Sequence, residues 1–111
     1  MKQARAITKY VRVSPTKARL AADLIRGKSV EDAYTQLMFC NLKSGQLLKK
    51  TLDSAVANAE TQHNVQRNSL RISEVRVDQG PTLKRAKAKN KGGRVPIMKR
   101  SSHFTIVVEA E

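Results

Sequence analysis

The sequence predicts an α+β fold: three helices packed on a small three-stranded antiparallel sheet, in the order β-α-α-α-β-β, with a long basic β-hairpin protruding from it. Three observations predict it. Apolar residues recur at helical spacing through the middle of the 111-residue chain. Apolar and polar residues alternate near both ends, as in half-buried strands. Between two strand-like runs, 70–78 and 102–109, lies the segment 80–100, with eight basic residues and no acid. A basic segment tethered by strands at both ends is either a long floppy loop or the outer half of a hairpin whose partner is polyanionic.

Taken in order, residues 4–13 read as the first strand. Ile7, Val11 and Val13 share one parity and Thr8 and Tyr10 the other, with Arg5, Lys9 and Arg12 interspersed as a basic edge. Ser14-Pro15 opens the first helix. A serine hydroxyl can accept from an orphan backbone N–H, and a proline at the first helical position gives up an N–H that would be unpaired anyway. Ala18, Leu20, Ala21, Ala22, Leu24 and Ile25 carry the helical spacing, and Gly27 ends it, with Arg26 at the negative end of the dipole. Ser29 caps the second helix, with Glu31 and Asp32 in its first turn and Val30, Ala33, Leu37 and Met38 on one face. The third helix starts at Asn41 or Ser44 and runs to about Gln62 on Leu48, Leu52, Ala55, Val56 and Ala59. Its small residues allow close approach to another layer.

The strand at 70–78 changes parity between Leu70/Ile72 and Val75/Val77. A slip of one residue would turn the buried face outward, so a bulge is expected near Ser73 and Glu74. In the last strand Phe104, Ile106 and Val108 share a face and Val107 takes the other. Pairing these two strands forces the segment between them to reverse. The turn falls at Asn90-Lys91-Gly92-Gly93, where Asn and Gly accept the positive φ that tight turns need. Each arm of about nine residues would reach roughly 30 Å at about 3.3 Å per residue. An isolated ribbon that repels itself is marginal in water and should be ordered by a polyanion.

Net charge is +13, from 22 basic and nine acidic residues, and it is patterned. Residues 1–81 hold 14 basic and seven acidic residues, 82–100 hold eight and none, and 101–111 none and two. Such a field points to nucleic acid or an anionic surface. No apolar run approaches the roughly 20 residues of a bilayer span, and no signal-type segment follows Met1. The single Cys40 has no partner for an internal disulfide or metal spacing, which suits a reducing compartment. These features predict a soluble, cytoplasmic, single-domain protein over 1–111, with 80–100 as its extended arm.

His63 and His103 stand alone and read as surface or strand residues, and Cys40 as a small core residue. No phosphate loop, zinc spacing or acid pair is present, so neither a catalytic residue, nor a metal site, nor a cofactor is expected. With only four aromatic residues, stacking on a single strand is disfavoured. Backbone and shape recognition of folded RNA, or groove binding on DNA, both stay open. A DNA-bending ribbon predicts dimerisation and an apolar wedge at its tip, where Gly92-Gly93 is a poor one.

Four separated blocks resemble one family. They are the run from Arg12-Val13-Ser14-Pro15-Thr16-Lys17-Ala18-Arg19 to Ile25-Arg26-Gly27-Lys28; Ser54-Ala55-Val56-Ala57-Asn58-Ala59-Glu60; Val77-Asp78-Gln79-Gly80-Pro81 with Lys84-Arg85; and Lys99-Arg100-Ser101-Ser102-His103-Phe104-Thr105. Together they resemble the bacterial large-subunit ribosomal protein family L twenty-two, in the right order over essentially the whole chain. The resemblance implies a structural protein, not an enzyme, that binds large-subunit rRNA during assembly. Its body would sit near the outer opening of the peptide exit tunnel, beside neighbouring ribosomal proteins, and its hairpin would reach inward and line the tunnel. It implies no membrane partner and no homo-oligomer. Carried over by position, Arg5, Lys9, Arg12, Lys17, Arg19 and Lys28 of the body would bind rRNA. So would Lys84, Arg85, Lys87, Lys99 and Arg100 of the arm. Lys89, Asn90, Lys91, Gly92, Gly93 and Arg94 would form the tip that faces the tunnel and the nascent peptide. The family often has Asp-Glu-Gly-Pro where this chain has Asp78-Gln79-Gly80-Pro81, and this chain places Pro96 in the return arm.

Overall fold

The computed structural model describes residues 2–41, 43–88 and 94–110, with backbone alone at residue 2 and over 83–88 and 94–98. The described elements are β1 (Lys2–Val11), α1 (Pro15–Ile25), α2 (Val30–Met38), α3 (Lys43–His63), a single 3-10 turn (Arg67–Ser69), β2 (Leu70–Gln79), β3 (Leu83–Ala88), β4 (Arg94–Lys99) and β5 (Ser102–Ala110). β1, β5 and β2 form one antiparallel sheet in that order, and β3 and β4 form a separate two-stranded ribbon. The expected β-α-α-α-β-β order and the protruding hairpin are therefore both present.

The core lies between one face of the sheet and the three helices. Phe104, Ile106 and Val108 of the central strand are fully buried, as their shared parity requires. α3 packs over β1 and β5, and α1 over β2. Small side chains set the spacing: Ala4 and Ala6 of β1 are buried, as are Ala18, Ala21 and Ala22 of α1 and Ala55 and Ala59 of α3. Close-packed alanines let the layers approach and compensate for the scarcity of aromatic residues. Ile7, on the other face of β1, is exposed, and Met38 projects from the end of α2 away from Val30, Ala33 and Leu37.

Most terminators act as the sequence requires. α1 stops at Gly27, whose φ of 77° is open to glycine at little cost. The Ser29 hydroxyl accepts from Asp32 N–H at 3.3 Å and caps α2. Two serines behave otherwise. The Ser14 side chain makes no capping bond at α1. Ser44 lies inside α3 and not at its cap, since the helix begins at Lys43.

The bulge expected in β2 is present. Ile72 pairs with Val108 and Glu74 with Val107, so Ser73 is the extra residue, and its hydroxyl donates to the Val107 carbonyl at 3.2 Å. β2 is an edge strand, and α1 covers part of that edge. Arg19 donates through Nε and Nη2 to the Val77 carbonyl at 3.3 and 3.2 Å, and Arg26 donates to the Val75 carbonyl at 3.0 Å. These bonds satisfy acceptors that would otherwise invite another strand.

The ribbon extends beyond the packed layers. The radius of gyration is 17.0 Å, with principal extents of 63 × 25 × 16 Å, against about 13 Å for a compact domain of this length. Within the ribbon Leu83 faces Lys99, Lys84 faces Met98, Arg85 faces Ile97 and Lys87 faces Val95. Among the described residues no helix is long and apolar enough to cross a membrane.

Candidate nucleic-acid interface

The ribbon leaves the body through a hydrogen-bonded neck. Gly80 N–H donates to the Ser101 carbonyl at 2.9 Å, and the Ser101 hydroxyl donates to the Pro81 carbonyl at 2.7 Å. A Cβ at position 80 would stand 2.6 Å from Ser101 Oγ, so only glycine lets the two strands approach this closely. One residue further on, the Ser102 hydroxyl donates to the Val13 carbonyl at 2.9 Å. This bond ties the neck to the residue just before Ser14, and so seats the base of the ribbon beside the start of α1.

Cations from three parts of the chain meet there. A cleft of about 300 Å³ is lined by Arg12, Val13, Ser14, Lys17, Lys43 and Ser44. An adjoining one shares Arg12, Ser14 and Lys43 and adds Lys99 and Arg100. On the other flank of α1, Pro15, Thr16, Arg19, Gln79 and Arg100 line a third. Arg12, Lys17, Lys43, Lys99 and Arg100 are all exposed, and among the described residues none of them is ion-paired.

The backbone adds to this field. The starts of α1 and α3 both border the first cleft, and the N-terminus of a helix carries partial positive charge. The uncapped hydroxyl of Ser14 is available to a ligand. Ser44 Oγ is buried and has no hydrogen-bond partner among the described residues, a state that costs about 1–3 kcal/mol unless something supplies a bond. Arginine forks, ammonium groups, hydroxyls and helix N–H groups are the donors that hold phosphate oxygens.

A bulge in β1 presents a different group at the same end of the sheet. The β1–β5 register shifts between Thr8 and Val11, and Tyr10 takes a φ of 60°. For a bulky side chain this conformation stores on the order of 1–3 kcal/mol. Tyr10 N–H donates to Nδ1 of His103 at 3.1 Å, so the neutral imidazole carries its proton on Nε2. His103 is a strand residue, as its isolation in the sequence implies, and it has this positioning role in addition.

The structure brings together five of the residues assigned to RNA by position, Arg12, Lys17, Arg19, Lys99 and Arg100, while Lys9 is exposed in β1 just before its bulge. Arg19 sits at the rim with part of its guanidinium already committed to Val77. Lys43 belongs to the cluster and was missed. Its signal was its place at a helix start, which the adjacent Ser44 obscured by offering itself as a cap. Two others lie apart. Arg5 is on the open side of β1 near Gln62 and Glu74, and Lys28 is half-buried at the opposite end of α1. Lys84, Arg85 and Lys87 lie in β3, and Arg94 begins β4 opposite Ala88. The rest of the tip, Lys89, Asn90, Lys91, Gly92 and Gly93, lies outside the described residues.

Comparison with known proteins agrees with this layout. The family model described as Ribosomal protein L22p/L17e matches residues 6–109. A large ribosomal subunit protein uL22 of Protochlamydia amoebophila is 69% identical over 108 residues, covering 97% of each chain. Proteins of the same name from Chlamydia abortus and Chlamydia muridarum are 59% and 56% identical over 104 residues, covering 94% of each chain. The family is one of ribosomal proteins and not of enzymes. From the four sequence blocks to the cation-lined neck and the projecting ribbon, the chain belongs to the ribosomal protein L22p/L17e family.

Proposed function

We propose that this chain is a structural constituent of the large ribosomal subunit, that it binds large-subunit rRNA during assembly, and that its ribbon lines the peptide exit tunnel while the body sits near the tunnel opening. The observation that carries the reading is the neck. Five exposed cations without ion pairs among the described residues, two helix N-termini and an unpartnered buried hydroxyl converge where the ribbon leaves the sheet. A backbone phosphate seated in the cleft between α1 and α3 would satisfy Ser44 and neutralise Arg12, Lys17 and Lys43. The basic residues of 80–100 would continue the phosphate track away from the body, with Lys89–Gly93 nearest the nascent peptide. In this reading residues 1–111 act as one cytoplasmic RNA-binding domain beside other ribosomal proteins, without a cofactor.

The test is co-sedimentation. The chain should pellet with large subunits and bind protein-free large-subunit RNA with a steep salt dependence. If it pelleted with the nucleoid and shifted duplex DNA as a dimer, the ribosomal reading would be abandoned.

A further inference from the structure

The bulge at Tyr10 is a feature that phosphate binding does not use. Its φ of 60° lies where bulky side chains rarely sit. Such a conformation persists only when its surroundings over-determine it, and it clusters at functional positions. Here the surroundings are the neck itself. Tyr10 N–H donates to His103 Nδ1 at 3.1 Å, and the two rings meet edge to face with centroids 5.0 Å apart and planes at 88°. His103 is packed in turn against Gly80, where an added Cβ would stand 3.1 and 3.3 Å from its ring atoms. An edge-to-face contact uses at most one face of the phenol ring. Tyr10 remains 65% exposed, so this rigid mounting serves an aromatic surface that faces solvent and not the core.

The neighbours indicate what that surface takes. In the sequence Lys9 precedes it and Arg12 follows two residues later, and both are exposed. Charged residues are depleted at the centres of protein–protein interfaces. An open ring in a basic stretch is instead the pairing that receives an unstacked base and neighbouring phosphates. We propose that Tyr10 is a stacking platform for one unpaired nucleobase of the RNA bound at the neck. The proposal rests on the RNA-binding reading above and adds a contact that the charge pattern did not contain. Stacking needs the ring and not the hydroxyl, and it reads no particular base.

The experiment compares the full chain with Tyr10→Phe and Tyr10→Asn for binding to protein-free large-subunit RNA. Asparagine tolerates the left-handed conformation, so the bulge survives without the ring. Tyr10→Phe should bind within about twofold of the wild type, and Tyr10→Asn on the order of tenfold more weakly. The salt slope should not change, because no phosphate contact is lost. Ultraviolet cross-linking of the wild-type complex should leave a nucleotide adduct on Tyr10. Wild-type affinity for Tyr10→Asn, or cross-links that avoid Tyr10, would overturn the platform and leave the phosphate interface standing; a surface for another protein would give that result. If the wild type itself fails to bind this RNA, the functional reading and the platform fall together.

Discussion

The two ends of the three-stranded sheet treat charge in opposite ways. At the end where Leu70 and Ala110 pair, polar groups are matched within the chain. Arg71 pairs with Glu109, whose other oxygen lies 3.5 Å from Gln3 Nε2. His63 Nε2 donates to the Gln3 carbonyl at 2.7 Å. Nearby, Tyr34 donates to Asp53, and Arg67 lies 5.5 Å over the Tyr34 ring and 3.6 Å from Glu60. Burial, then the hydrogen bond to Asp53 and its charge, push the Tyr34 hydroxyl well above its ordinary range, so it remains a donor. At the other end, where Gln79 pairs with Ser102, the cations of the neck have no ion pair among the described residues. The difference teaches which charges serve the fold and which are left for a partner. Clustered like charges oppose folding of the free protein, so their persistence at one end makes sense when a polyanion completes that end.

The comparison breaks most visibly if the neck is neutralised. Replacing Arg12, Lys17, Lys99 and Arg100 together by Gln should weaken RNA binding roughly 10³-fold near physiological salt and make the salt slope shallower by about 3–4. Thermal stability should hold or rise. A filter-binding series across salt concentrations checks both expectations, and an unchanged slope would show that these cations are not on phosphates.

Gly80→Ala attacks the neck through sterics. The added methyl meets Ser101 Oγ, which must then leave the Pro81 carbonyl. We expect a loss of about 1–3 kcal/mol in chemical denaturation, with the bound RNA partly restoring stability. A smaller contrast separates the two uses of Arg19. Arg19→Lys keeps the charge but cannot hold the Val77 carbonyl with two N–H groups, and should lower stability by about 0.5–1.5 kcal/mol. RNA affinity should stay within twofold; a large loss of affinity would make Arg19 part of the phosphate contact.

The smallest effect concerns the matched end. The hydrogen bond from Arg71 holds the Glu109 carboxyl below its ordinary value of 4.5. A lowered pKa in the folded state means that the carboxylate stabilises the fold above pH 4.5, and that this contribution disappears as pH falls through the folded value. Glu109→Gln should therefore flatten the fall in denaturation midpoint between pH 5 and pH 3 and leave RNA binding at pH 7 unchanged.

Local rules made several elements legible. The parity change in β2 located a bulge at Ser73, because a strand with one buried face cannot slip without a spare residue. Pro15 and Gly27 bounded α1 through backbone geometry alone. The second bulge, at Tyr10, was hidden, since a tyrosine is a poor local choice for a positive φ and the acceptor of its N–H is His103, at the far end of the chain. Ser14 takes the N-cap position of α1 as expected but without a side-chain bond, and Ser44 is not a cap at all. Their capping chemistry is real, but the Ser14 side chain lines the cleft at the neck and α3 begins one residue before Ser44.

By itself the sequence determined the order of elements, the faces that β2 and β5 bury, and the acid-free arm held between two strands. These depend on periodicity and backbone chemistry within short windows. Only the tertiary structure decided which cations act together. Arg12, Lys43 and Arg100 come from distant parts of the chain, and they meet because β5 runs between β1 and β2 while α3 crosses above it. Long-range strand pairing, and not any local preference, places the starts of two helices at the root of the ribbon.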